Sequence, residues 1–409
     1  MRLLLKNRVF CVLRLSLFCI SGILPCHAGI PAAPTTTKAS DEVYQTAKTD
    51  PEVALGAKAA KEVMSEEKVL TSGPEWERVN RIGQIIAAAA NKYPVPAMFG
   101  SSAHVLLHFH FYVVDNPDVN AFSLPGGFVF VNTGLLKFVH SDDELAAVLA
   151  HETGHVEHHH VITLMKQQAK IQNVMTPIQL AALAMMLSNN KYDTAGAGLA
   201  TLQASQLYSI ARINGYSVHA EEDADHTAMM LLIHTQFSPV ALYTFMVRLN
   251  TYEKTHGMEN LGIYRDHPPT PQRIAAAKEV LKQLNIPIRV STVDPTWLPV
   301  VTSIKQDGVD LAQIAVKSVL LCTIAPQDGQ TAVQRADVIA KRLDQLLDDN
   351  VPAFEVQVDP QTQTVNVHGV PILTSADAAA QHLTLSALST NLGYAIVQVN
   401  EHKQLEFDY

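Results

Sequence analysis

The pentapeptide His151-Glu152-Thr153-Gly154-His155 constrains the fold more than any other stretch of the chain. It has the form H-E-x-x-H, with two imidazoles four residues apart and a carboxylate beside the first. On a helix, positions i and i+4 share a face, so His151 and His155 can both reach one Zn²⁺. Glu152 then stands where a general base is needed for an attacking water. The chain must therefore be helical here and must bring further ligands from elsewhere.

The helix has a legible start. Ser141-Asp142-Asp143-Glu144 places Ser at an N-cap and Glu at N3, followed by Leu145, Val148 and Leu149. That is a capping box ahead of an apolar stripe, at the right distance to carry HETGH. Acids in the first turn also suit the positive end of the helix dipole. Beyond the motif, His158 and His159 continue the stripe of His151 and His155. The longer metzincin pattern needs Gly at 158 and His at 161, where this chain has His158 and Val161. His158, His159 and His160 are therefore expected on the helix surface or behind the ligands.

A third ligand has to come from another element. Tyr216 to Ile233 reads as a second strong helix, with Glu221, Asp225, Met229 and Leu232 along one face. Glu221 can reach the metal, and Asp225, one turn on, can accept a hydrogen bond from the outer nitrogen of a ligand histidine. The alternative is a solvated acidic face, which is the expected fate of Glu222 and Asp223. Thr270 is the expected N-cap and Pro271 the N1 residue of a helix to about Leu284, which leaves His267 on the loop before it.

The rest of the first 285 residues is read more coarsely. Asp50 to Lys92 has helical patterning, and Val105 to Val114 reads as a strand. Between Asn120 and Gly134 a Pro125-Gly126-Gly127 turn feeds the strand Phe128 to Val131. One reading is an ordinary hairpin. The other is an edge strand beside the HETGH helix, with Asn120, Ala121, Gly126 and Phe128 in contact with an extended peptide. Val161 to Leu207 is helix-forming, with a softer centre from Asn189 to Gly198.

Composition bears on location. Arg2, Lys6, Arg8 and Arg14 precede an apolar run, Leu15 to Leu24, and then Pro25-Cys26-His27-Ala28-Gly29. The pattern is that of a secretory signal peptide over residues 1–28, and the run is shorter than the ~20 apolar residues a span needs. Cleavage there removes four basic residues and no acids, taking the net charge from −9 to −13. An acidic exported chain offers nothing to nucleic acid. Cys11, Cys19 and Cys26 leave with the signal, so Cys322 has no internal disulfide partner. The expected location is the periplasm. Residues 29–50 are Pro/Thr-rich and read as a linker, and no later stretch, including Ile178 to Leu187, is long enough to span a bilayer.

From about Ile286 the character changes. Ala332 to Asp348 is an amphipathic helix entered through Thr331. Phe354 to Val358 and Thr364 to His368 alternate as strands around an Asp359-Pro360 turn, Ser375 opens another helix, and Ala395 to Val399 reads as a strand. Residues 286–409 are thus a small α+β domain with no helical repeat of about 34 residues, and an interaction or membrane-proximal recognition module is the expectation for it.

Taken in order, the Asn120-Ala121-Phe122…Pro125-Gly126-Gly127 segment, HETGH, Glu221-x-x-Ala224-Asp225 and His267-Pro268…Thr270…Arg273 resemble the gluzincin family that contains the CaaX prenyl proteases, the HtpX-type membrane proteases and their soluble periplasmic relatives. The resemblance covers roughly residues 75–285. It implies an α+β chain whose mainly helical zincin-type domain (51–285) carries a small sheet. It also implies one zinc per chain held by His151, His155 and Glu221, with Glu152 as base and Asp225 behind a ligand. His267 is implied as a fourth ligand or a transition-state donor. The implied activity is cleavage of internal peptide bonds in exported polypeptides such as misfolded or stalled envelope proteins; a zinc-containing chaperone or assembly factor with little proteolysis is the alternative. Three positions depart from the family pattern: Val218 and His159 stand where it has Arg, and Ala228 where it has Gly.

Overall fold

The computed structural model describes residues 50–172, 216–256, 262–263, 267–268 and 270–407. The expected signal peptide over residues 1–28, the expected linker up to residue 49, the apolar stretch from Ile178 to Leu187 and the softer centre from Asn189 to Gly198 lie outside the described residues. No helix among the described residues is long and apolar enough to cross a membrane.

Two helices rather than one continuous helical region occupy residues 51–92. Helix α1 (Pro51–Glu66) starts on Asp50, whose carboxylate accepts the Glu52 amide at 2.7 Å, and α2 (Pro74–Lys92) starts again at a proline. The link between them forms the short strand β1 (Val69–Leu70). Strand β2 covers only His110–Val114. The preceding residues run extended but pair with side chains of α2: Asn91 bonds both backbone groups of Leu107 at 2.9 Å, and Gln84 reaches the Phe109 carbonyl. Those bonds do the work of a ladder, so no neighbouring strand is needed there.

Strands β3 (Ala121–Leu124) and β4 (Phe128–Asn132) complete a four-stranded sheet of order β1-β2-β4-β3, in which β2 and β4 run parallel and the other pairs antiparallel. Strand β4 is therefore interior, not an edge. Its unbroken apolar run is explained by burial on both faces. Val129 and Val131 join the core under α2, whereas Phe128 and Phe130 join a second cluster with Leu55, Ala59 and Val63 of α1. The edge next to the HETGH helix is β3.

Helix α3 (Thr133–Phe138) leads into α4 (Asp142–Glu157), which carries the motif and is buried from Glu144 to Val156. Helix α5 (His160–Gln172) follows, then α6 (Val218–Leu232), α7 (Val240–His256) and α8 (Pro271–Gln283). A helix apolar on every side must be surrounded, and α4 has α2, α6, α7 and β3 against it.

The C-terminal region has two three-stranded antiparallel sheets, β5 (Val300–Gln306) to β7 (Val319–Ile324) through β6 (Val309–Val316), and β8 (Val356–Asp359), β9 (Thr364–Val367) and β10 (Val370–Thr374). Helix α9 (Ala332–Asp348) begins with the full Thr331–Gln334 capping box, and the short α10 (Ser375–Ala380) places Asp377 to receive Arg335 in a buried two-point pair at 2.8 and 2.9 Å. Ala395 to Val399 is not a strand. It lies inside α11 (Leu385–Phe407), whose buried positions Leu388, Leu392, Ile396, Val399, Lys403 and Phe407 recur at three- and four-residue intervals. The local β-branched alternation is outweighed by that longer period, which lets one face of the helix pack against β7, β8 and α7. The buried cores of this region and the preceding one form a single continuous cluster.

Candidate metal centre

Ser141 caps α4 by accepting the Glu144 amide at 3.1 Å, but only half of the expected box forms. The Glu144 carboxylate turns instead to the His140 amide at 2.7 Å and to Arg248 of α7. At its other end α4 stops at His158, and His159 takes a left-handed φ of 55°. The histidine stripe is thus cut just past the motif. His158 and His160 turn inward and His159 points at α1.

Gly154 of the motif lets α6 come close. A Cβ there would meet the Ala224 carbonyl oxygen at 3.2 Å and the Thr227 Cβ at 3.2 Å, so a side chain would push the two helices apart. Close approach of α6 delivers Glu221 to the face of α4 that carries His151 and His155. His267, on the segment before α8, arrives from a third direction, its amide bonded to the Ile263 carbonyl at 2.7 Å.

The four side chains converge. His151 Nε2 lies 3.0 Å from His155 Nε2 and 3.3 Å from His267 Nδ1, and His267 Nδ1 lies 3.0 Å from Glu221 Oε1. Glu221 closes the figure at 3.4 Å from His155 Nε2 and 3.5 Å from His151 Nε2. A tetrahedral zinc with bonds of about 2.0–2.1 Å has ligand-to-ligand edges of about 3.3 Å. All four residues are buried, at 1–6 % exposure. The donor set and its spacing therefore fit zinc, with imidazole nitrogens and one carboxylate around a dry point.

Two groups around the point are shifted toward the forms a metal ligand takes. Burial drives the His155 imidazole well below its ordinary pKa, which favours the neutral ring that a metal ligand needs. Burial opposes ionisation of Glu221, but Arg273 and His267 outweigh it and hold the carboxyl well below its ordinary range. Arg273 is the organiser here. Its guanidinium grips Asp225 at 2.7 and 2.8 Å, Glu221 at 2.7 Å and the Pro268 carbonyl at 2.9 Å. One side chain thus locks α6 to the His267 segment. Asp225 Oδ1 lies 3.0 Å from His151 Nδ1, as expected for a carboxylate behind a ligand.

Glu152 sits beside the cluster with Oε1 3.5 Å from His267 Nε2, while its buried Oε2 has no hydrogen-bond partner. A cavity of about 30 Å³, enough for a water, lies against Glu152, His151 and His267 under an apolar wall of Leu242, Phe245 and Met246.

The residues expected to contact substrate are not gathered into one surface. Asn120 and Ala121 stand at the start of β3, where Ile263 donates to the Val119 carbonyl at 3.1 Å and Gly262 packs on the Asn120 side chain. Gly126 and Phe128 lie at the other end of the hairpin. Gly126 holds a left-handed φ of 79°, and a Cβ there would come within 2.4 Å of Val53 Cα in α1. Those two residues seat the turn on α1.

Asp223 is not on a solvated face. It is fully buried and takes hydrogen bonds from His158 and His160, whereas Glu222 is partly exposed. Sequence reasoning also missed Tyr216, which precedes α6 and stacks on the His155 ring at 3.7 Å, and it gave Arg273 no role. An arginine three residues past a helix cap, one turn below a histidine loop, is the signal that was available for the latter.

A mainly helical domain that sets an HExxH pair and a carboxylate from a later helix around one tetrahedral point is a metallopeptidase domain of the gluzincin type. Residues 78–281 match the family model of peptidase family M48, whose members are zinc-dependent, and the chain belongs to that family. It is similar to the beta-barrel assembly-enhancing protease of Yersinia pestis, with 25 % identity over 56 % of this chain and 42 % of the relative. The Escherichia coli (strain K12) protein of the same name shows 24 % identity over 53 % of this chain and 41 % of its own length. The mitochondrial metalloendopeptidase OMA1 of Schizosaccharomyces pombe is 30 % identical over 49 % of this chain and 55 % of its own. The chain thus spans about two fifths of the assembly-enhancing proteases.

Proposed function

We propose that the chain is a zinc endopeptidase that hydrolyses internal peptide bonds of exported proteins and serves quality control in the periplasm. The observation that carries this is the set of four buried ligand atoms at tetrahedral spacing with Glu152 beside it. His151, His155 and Glu221 would hold zinc, which when bound acidifies water and polarises a carbonyl. Glu152 Oε2 would take the proton of the attacking water and return it to the leaving amine, and the cavity beneath it gives that water a place. His267 would hydrogen-bond the developing oxyanion once displaced from the cluster. Ala121, at the start of the edge strand β3 beside α4, and Asn120 just before it are the positions where an extended substrate would pair. Names of the relatives support the choice of envelope proteins as substrates, and residues 286–409 would recognise partners there.

The test pairs two variants. Glu152→Gln should keep one zinc per chain and lose peptide cleavage by about 10²–10⁴-fold; Glu221→Ala should lose the zinc. A Glu152→Gln protein that still cuts, or a Glu221→Ala protein with unchanged zinc, would overturn the assignment.

The placement of His267 favours a second reading, a latent or assembly role. With its Nδ1 at the fourth corner the ligand set is closed, and catalytic zinc needs an exchangeable position. If His267 restrains activity, His267→Ala should cleave casein faster than wild type while keeping its zinc. If it serves only as a donor to substrate, the same variant should cleave more slowly.

A further inference from the structure

Behind the candidate metal centre lies a second buried cluster, His158, His160 and Asp223, whose ligand-type atoms also fall within 4.8 Å of one another. We propose that this is not a second metal site but a chain of positioning residues in which Asp223 and His160 fix the tautomer and orientation of His155; the proposal rests on His155 being a zinc ligand.

The hydrogen bonds decide it. Asp223 is surrounded by donors alone. Its Oδ1 accepts the amides of Met98 at 2.5 Å and Phe99 at 3.2 Å, and its Oδ2 accepts from His158 Nδ1 and from His160 Nε2, the latter at 3.0 Å. His160 Nε2 also faces the Phe99 carbonyl at 3.2 Å, a second pure acceptor. The proton of a neutral His160 therefore sits on Nε2, and its Nδ1 carries the lone pair. That Nδ1 is 2.8 Å from His155 Nδ1. His155 must donate, so its own proton is on Nδ1 and its Nε2 lone pair points to the ligand cluster. Tyr216, stacked on the face of the His155 ring, holds its plane.

A cation in the second cluster would reverse every step. His160 Nε2 would have to give its lone pair, its proton would move to Nδ1, and His155 would accept there and carry its proton on Nε2, where the zinc belongs. Occupation of the two clusters is mutually exclusive. His155 thus obtains from His160 what His151 obtains from Asp225 at 3.0 Å, an outer acceptor that aims the ligand.

The Nδ1 and Nε2 positions of a histidine can be kept one at a time. In His160→Asn the amide oxygen replaces Nδ1 and can still accept from His155. In His160→Gln the amide reaches the Nε2 position and can still bond Asp223, but nothing accepts from His155. Zinc affinity is measured on the full chain by competition with a chromogenic chelator, beside thermal melts of the zinc-free proteins and the visible spectrum of the cobalt(II)-loaded forms. Wild type should bind one zinc, His160→Asn should stay close to it, and His160→Gln should bind about 10–100-fold more weakly with an altered cobalt spectrum. Asp223→Asn, which must turn an NH₂ toward a donor on one side, should weaken zinc in the same way. Equal affinities for the two His160 variants would overturn the positioning role, whether both match wild type or both fall. Two zinc ions per wild-type chain, one lost in Asp223→Asn, would replace it with a second metal site. A wild-type chain that binds no zinc would remove the proposed function itself.

Discussion

His159 stands where the family pattern has arginine, and it fills the position with a group that can lose its charge. Its Nδ1 lies 2.7 Å from Glu52 Oε2 of α1 and its Nε2 3.0 Å from the Ala103 carbonyl, so both nitrogens face acceptors. Burial works against the charged ring, but the Glu52 carboxylate outweighs it and holds the imidazolium up to about 9. A folded pKa above the unfolded one makes the charged pair stabilising, fully so below about 6.5 and progressively less as pH rises through about 9. Wild type should therefore lose about 1–2 kcal/mol of stability between those limits. His159→Arg, whose charge does not titrate there, should hold its stability. Urea unfolding at a series of pH values checks this; parallel curves for the two proteins would show that the Glu52 contact contributes nothing. The same residue limits what sequence reading can deliver. Position 159 is visible as a departure from a pattern, but its left-handed backbone and its partner 107 residues away are not.

At the scale of elements, what was legible depended on whether local chemistry agreed with tertiary packing. The caps at Ser141, Thr270 and Thr331 were readable because each is a short-range bond from a side chain to an amide a few residues on. They located α4, α8 and α9, and α4 was enough to put HETGH on a helix. The convergence of His151, His155 and Glu221 followed, since i and i+4 spacing on two helices is also local information. Reading failed where the decisive partner was distant. Ala395 to Val399 looks like a strand until the whole 23-residue face of α11 is considered. Asp223 looks solvated until the loop carrying Met98 and Phe99 is folded onto it. Strand β4 looks like an edge until β2 and β3 are placed on its two sides. The hairpin β5–β6 is the exception, because its Asp307-Gly308 turn, with φ of 51° and 82°, was a local signal left unread.

Across the whole molecule, the start of the HETGH helix is tied to the C-terminal region through one buried knot of charge. Arg248 of α7 donates to both oxygens of Glu144, at 2.5 and 2.6 Å, and reaches Asp294 at 3.3 Å. His140 Nδ1 stands 2.9 Å from Asp294, whose carboxylate also accepts from Thr296. Further along the same seam, Tyr243 of α7 donates to the Phe407 carbonyl of α11 at 3.0 Å. Burial should raise the Asp294 carboxyl, but His140, Thr296 and Arg248 outweigh it and hold it down to about 2. A depressed folded pKa is stabilising above the unfolded value of about 3.9 and loses that contribution as pH falls through about 2. Breaking a buried pair by removing one charge costs about 3–5 kcal/mol, so Asp294→Asn should be less stable than wild type at neutral pH, with a shallower fall below pH 4. The two tryptophans can show where the damage lies. Trp76 is on α2, and Trp297 is buried in the seam itself beneath the Lys317 ammonium, 3.8 Å from the ring centre. Because the core is continuous, single-tryptophan forms of wild type should report one coincident unfolding transition. In Asp294→Asn the Trp297 transition should come first, with Trp76 following as the HETGH helix loses its anchored end. Coincident transitions in that variant would mean that the apolar core, not the charge knot, holds the two regions together.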